Sequence, residues 1–206
     1  MNEVVAASGI KSGGTLNETM YELETSGFIK SYLPFGKKKK ETLYRLIDDF
    51  SMFYLHFMEN AQSLEALNWQ QLNQLPAWKS WSGFAFENVC LRHVKKVKEA
   101  LQIAGIVSRD YSFVARATVL NPGVQIDLLI DRNDQTINLC EMKFYNGPYV
   151  VTKEYADELR RKRSVFNSLT ATRKQVFITL VTTYGVQINK NSIGLIDNEI
   201  TIDQLF

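Results

Sequence analysis

Three charged residues fall inside runs that otherwise read as buried β-strands, and this constrains the chain more than any other feature. In residues 124–131 the even positions Val124, Ile126, Leu128 and Ile130 form one apolar face, while Gln125, Asp127, Leu129 and Asp131 take the other. In residues 137–144 the same parity puts Glu141 and Lys143 on one face, about 7 Å apart along the strand at roughly 3.3 Å per residue. The intervening residues 132–136 are rich in turn formers, so the two runs are expected to pair as an antiparallel hairpin with a short connection. Neighbouring strands lie about 4.8 Å apart, which would bring Asp127 within metal-bridging reach of Glu141.

Two carboxylates form a hard-oxygen donor set suited to Mg²⁺ or Mn²⁺ rather than zinc, with the backbone carbonyl of Met142 as a third ligand. Lys143 beside such an ion could hold or deprotonate a water and offset the charge that develops on a pentacovalent phosphate. That chemistry hydrolyses phosphodiesters. The plain alternative is an ordinary ion pair between Glu141 and Lys143, with Asp127 ending a strand. Glu87 adds to the chemical reading. A helix predicted over 84–101 has its apolar stripe at Phe84, Leu91, Val94, Val97 and Leu101, and Glu87 falls on that stripe. An inward carboxylate needs a cation or a pair; otherwise Glu87 is a favourable acid in a first turn.

A helix-borne Glu followed by a hairpin carrying Asp and then Glu-x-Lys resembles the PD-(D/E)XK nuclease superfamily. More narrowly, WKSWSGFAFENVCLRH over 78–93, QIDLLID over 125–131 and EMKF over 141–144 look like the C-terminal region of prokaryotic, archaeal-type AAA-family ATPases. The likeness covers essentially the whole chain. It implies a winged helix followed by a nuclease-like domain, with Asp127 and Glu141 as metal ligands, Glu87 supporting that ion or a second one, and Lys143 orienting water. The cofactor implied is Mg²⁺ or Mn²⁺. The chain departs from the pattern in having Ile126, not proline, before Asp127. It also contains no G-x-x-x-x-G-K-[ST], so ATP hydrolysis is not expected of these residues. Folds of this kind also serve as non-catalytic DNA-binding or assembly modules that position an ATPase.

The N-terminal part reads as a short helix over 2–8, a turn over 9–14 and a second helix over 15–26. Thr15 with Glu18 suggests a capping box, Leu16, Met20 and Leu23 form a stripe, and Gly27 stops the helix. Strands over 28–33 and 42–47 flank the run Gly36-Lys-Lys-Lys-Lys40. This is a partial winged helix-turn-helix over 1–48, read as starting in the middle of a domain, with an N-terminal ATPase segment or a partner chain covering the stripe. Lys37, Lys38, Lys39 and Lys40 are candidate DNA-phosphate contacts, unless they form a solvated turn. Arg160, Arg161 and Arg163 are further candidates, unless they simply face water. They lie on a helix predicted over 155–169, whose buried side would be Tyr155, Leu159, Phe166 and Leu169. Transcription control by the winged helix alone is a third reading.

Residues 49–76 read as a connector, aromatic and helical to residue 59 and polar from 62. His56 and His93 are expected to be packed side chains rather than ligands. Over 77–206 a strong strand at 175–182 and weaker ones at 192–195 and 199–202 complete the sheet. A right-handed crossover through the 155–169 helix would make strand 175–182 parallel to strand 137–144, giving an α/β fold with a mixed sheet. With 206 residues and 45% apolar content, the chain can bury a real core. No apolar run suggests a membrane span and nothing resembles a signal peptide. The two cysteines, Cys90 and Cys140, fall on elements read as buried and suggest a reducing cytoplasm. The net charge of +2 leaves DNA contact to local patches, and an oligomer stays open.

Overall fold

The structure, a computed structural model, describes residues 2–59, 69–117 and 122–206. Part of the expected polar connector, 62–68, lies outside the described residues. The chain divides into two compact units, Met1–Ser82 and Gly83–Phe206.

In the first unit, α1 (Asn2–Ser8) and α2 (Gly14–Thr25) precede an antiparallel hairpin of β1 (Ile29–Tyr32) and β2 (Leu43–Leu46). The expected capping box at Thr15 does not form. The helix already starts at Gly14, with Gly13 at its N-cap and no side-chain cap. Thr15 is therefore inside the first turn, where its carbonyl accepts the Thr19 hydroxyl instead. The stop at Gly27 does form, with φ at 79°, where a β-carbon would be strained. There Gly27 N–H donates to Glu24 O and Phe28 N–H to Leu23 O, a Schellman motif.

Leu16 and Met20 are buried on α2. The Glu24 carboxylate accepts both the hydroxyl and the backbone N–H of Ser31, fastening α2 to β1. Those hydrogen bonds hold the Glu24 carboxyl below its usual range. After β2 come α3 (Asp49–Phe53), a π-helical turn (Tyr54–Met58) and α4 (Trp69–Leu72). Phe53, Phe57, Trp78 and Trp81 stack into one aromatic cluster. His56 touches Phe57 but is exposed, not packed as expected, because the π-turn presents it outward.

The second unit is built on a five-stranded mixed sheet in the order β3-β4-β5-β7-β9: β3 (Ser108–Ala115), β4 (Val124–Arg132), β5 (Thr136–Lys143), β7 (Gln175–Thr182) and β9 (Asn198–Thr201). β6 (Tyr149–Val150) and β8 (Val186–Gln187) form a small parallel pair beside it. The β3–β4 and β4–β5 pairings are antiparallel, while β5–β7 and β7–β9 are parallel. The hairpin and the crossover expected from the sequence are therefore both present. Residues 192–195 form a turn rather than the expected strand. The Asn189 side chain accepts the N–H groups of Asn191 and Ser192 there, substituting for ladder partners.

The helix expected over 84–101 is longer at its start and broken in the middle. α5 spans Pro76–Arg92 and α6 spans Val94–Ala100, separated at His93. The His93 ring lies 4.9 Å from that of Phe206. Four members of the expected stripe, Leu91, Val94, Val97 and Leu101, do pack against the core. Phe84 is 59% exposed, and Phe86, Cys90 and Val97 enter the core, with Leu128, Ile130, Cys140, Met142 and Val181 from the sheet. Both cysteines are buried and free.

α7 (Lys153–Thr170) packs through Tyr155, Ala156 and Leu159 on Ile178 and Leu180. Further along it, Phe166 meets Phe113 edge-on at 5.0 Å. Leu169 is 64% exposed and does not continue that buried side, since the helix unwinds at Ala171 in the left-handed conformation. The start of α7 is set by Thr152, whose hydroxyl accepts the Tyr155 N–H at 3.2 Å. Thr152→Ala is expected to lower stability by about 1 kcal/mol, read as a fall in the urea midpoint with an unchanged m-value.

Candidate active site

The register of β4 on β5 decides what meets what. Leu128 pairs with Cys140, so one step further Asp127 faces Glu141 on the same side of the sheet. Opposed residues in such a pair have β-carbons about 5 Å apart. Lys143 follows on that side of β5, since it lies two residues beyond Glu141. An Asp127 side-chain oxygen, Oδ2, also accepts the Met142 backbone N–H at 3.3 Å, which ties the acid across the hairpin. The sequence thus foretold the juxtaposition of Asp127, Glu141 and Lys143, and the structure brings these three to one face.

That face is covered by α7, which supplies a residue the sequence reading passed over. Lys162 Nζ meets Glu141 Oε2 at 2.7 Å, with the two side chains 11% and 3% exposed. The ion pair of Glu141 is thus with a lysine on another element. The signal was available: Tyr155, Leu159, Lys162 and Phe166 share one helical stripe, so Lys162 is a charge on an apolar face. Within the run Arg160-Arg-Lys-Arg163 it reads as one more surface charge. Lys162 also approaches Glu158 at 3.6 Å.

Oε1 of Glu141 is buried and accepts no hydrogen bond. Burial, and then the nearby Asp127 charge, push the Glu141 carboxyl up to about 7, against the pull of Lys162 and Lys143. Burial works against the Lys162 ammonium, but the Glu141 charge and hydrogen bond outweigh it and its pKa is raised. The linkage sign follows. A folded carboxyl at about 7 keeps a proton that the unfolded chain, at 4.5, has already released. Without metal, in EDTA, stability is therefore expected to fall between pH 4.5 and 7, on the order of 3 kcal/mol from this group. Urea unfolding at pH 5 and pH 8 measures it, and Glu141→Gln should flatten that dependence.

Lys143 Nζ lies 4.9 Å from the centroid of the Tyr155 ring. Tyr155 in turn meets Tyr149 edge-on at 5.6 Å, and Tyr149 meets Tyr145 at 6.0 Å. Glu87 is elsewhere. It stands half-buried on α5, between Phe86 and Asn88, and its charge acts on the Cys90 thiol. Burial first, then Glu87, push that thiol up to about 12. Among the described residues, no group of three or more His, Cys, Asp or Glu converges to hold a metal. The oxygen donors that do converge are the pair Asp127 and Glu141. With the uncommitted Glu141 oxygen they fit a hard divalent cation that draws its other ligands from backbone, water or substrate.

The basic candidates divide. Lys37 to Lys40 sit exposed at the turn between β1 and β2, with a 3₁₀ turn over Lys39–Glu41. Lys37 pairs with Glu41 at 3.4 Å. On α7, Arg160 pairs with Asp157 at 2.8 Å and Arg163 approaches Asp197 at 3.9 Å. Arg161 donates to the Pro122 and Gly123 carbonyls, each at 3.2 Å. It braces the entry to β4, and the close approach there is why Gly123 suits its position: a β-carbon would meet Ala115 O and Ala117 N at 3.2 Å. Among the described residues, no helix is long and apolar enough to cross a membrane. No family model, curated protein or solved structure matches the chain.

Proposed function

We propose that Gly83–Phe206 is a PD-(D/E)XK-type nuclease-like unit that hydrolyses phosphodiesters of DNA with Mg²⁺ or Mn²⁺. One observation carries this reading: Asp127 and Glu141 share one sheet face, with a Glu141 oxygen buried and accepting no hydrogen bond. A divalent cation bound by these carboxylates supplies Lewis-acid stabilisation of the phosphate and a more acidic water. Asp127 and Glu141 hold that charge in place. Lys143 offsets the negative charge that builds on the phosphate and orients the attacking water. The Glu141 and Met142 backbone, fixed between β4 and β7, keeps the constellation rigid.

The two helices and hairpin of the first unit fit the latter part of a winged helix, with Lys37–Lys40 following a phosphate backbone as wings do. In this reading the chain is the C-terminal portion of an AAA-type ATPase acting in the cytoplasm.

A second reading, a non-catalytic DNA-binding or assembly module, is favoured by Lys162, because an ammonium already seated on Glu141 does part of what a cation would do. A cleavage time course on supercoiled and branched DNA with Mg²⁺ or Mn²⁺ separates the two. Strand scission that disappears in both Asp127→Ala and Lys143→Ala supports the nuclease. DNA binding with no scission in any of these proteins leaves the module.

A further inference from the structure

We propose that the phenolic hydroxyl of Tyr155 is a substrate-contacting group of this site, donating a hydrogen bond to a non-bridging oxygen of a bound phosphodiester. The assignment rests on the nuclease-like reading of Asp127 and Glu141. Tyr155 is only 9% exposed, and its hydroxyl is buried with no hydrogen-bond partner. Buried tyrosine hydroxyls nearly always find one, because an unpaired polar group loses its water for nothing in return. The ring position ties the residue to this site: its centroid lies 4.9 Å from Lys143 Nζ.

Burial, followed by Glu141 as the largest neighbouring charge, pushes the phenol well above its ordinary range, so it stays a neutral donor at every working pH. Glu141 Oε1 is likewise without a partner, yet the two groups do not bond to each other. One donor and one acceptor are left unsatisfied in the same site. A divalent cation bound to a phosphodiester satisfies both, since the cation completes Glu141 and a phosphate oxygen accepts from Tyr155. A cation alone satisfies only the first.

Tyr155→Phe isolates the hydroxyl, because it keeps the ring beneath Lys143 and the packing of α7. Its thermal midpoint is expected to equal or exceed that of the wild type, since an unpaired buried hydroxyl is removed. Titrated by calorimetry with the thymidine dinucleotide pTpT in Ca²⁺, it is expected to bind roughly tenfold more weakly, whereas Mn²⁺ alone binds both proteins equally. Where the wild type cleaves DNA, kcat/KM of the variant is expected to fall by at least the same factor. A wild type that binds pTpT but cleaves nothing, with binding weakened in Tyr155→Phe, removes the nuclease reading and keeps Tyr155 as a phosphodiester contact. Unchanged dinucleotide binding in Tyr155→Phe, or no binding by the wild type, overturns the assignment.

Discussion

Asp127→Ala is expected to lower metal-dependent DNA cleavage by a thousandfold or more, equivalent to about 4 kcal/mol of transition-state stabilisation. The magnitude follows from the small donor set. Glu141 already gives one oxygen to Lys162, so removing Asp127 leaves a single uncommitted carboxylate oxygen to hold a divalent ion. The alanine has a second effect that must be separated from the first, because Asp127 Oδ2 also accepts the Met142 N–H. Asp127→Asn separates them. The amide oxygen still accepts from Met142 while the negative charge is gone, so the hairpin should keep its thermal midpoint and cleavage should fall nearly as far as in the alanine. An asparagine variant that cleaves like the wild type would sink the catalytic assignment of Asp127. One that loses both midpoint and cleavage would show that Asp127 acts through the hairpin.

The parts of the fold legible in the sequence are those where local pattern and burial agree. β4, β5 and β7 are nearly continuous apolar runs bounded by turn residues, so their extent and pairing directions could be read, together with the crossover that makes β5 and β7 parallel. β3 could not. It is one of the two edge strands, and its first half carries Ser108, Arg109 and Asp110. The broken helix failed for a different reason. Residues 84–101 read as one amphipathic pattern, and Leu91, Val94, Val97 and Leu101 do pack on the core, but the stretch carries no Pro or Gly to signal the break at His93, and Phe84 is left exposed. The same limit applies to the site. Parity within two strands placed Asp127, Glu141 and Lys143 together, but which helix covers them depends on the crossover geometry. That is why parity alone does not bring Lys162 and Tyr155, distant in sequence from the hairpin, to the site.

Lys162→Met is expected to cost about 3–5 kcal/mol of stability at pH 8, the penalty of leaving a buried carboxylate without its counter-charge. The loss should depend on pH. Glu141 in the folded chain titrates near 7, so at pH 5 it is largely protonated and Lys162 contributes little more than an ordinary hydrogen bond, worth roughly 1 kcal/mol. At pH 8 the pair is charged, and removing the ammonium either strands the carboxylate or forces it to keep a proton against the solution. Urea unfolding of both proteins at pH 5 and pH 8 in EDTA tests this, and an equal loss at the two pH values would mean that Lys162 acts through packing alone. Magnesium then asks whether Glu141 is a metal ligand. A cation that binds Glu141 adds RT ln(1 + [Mg²⁺]/Kd) to the folded state, and it binds more tightly once the competing ammonium is gone. Millimolar Mg²⁺ should therefore stabilise Lys162→Met more than the wild type at pH 8. The same increment in both proteins would place the ion somewhere other than Glu141.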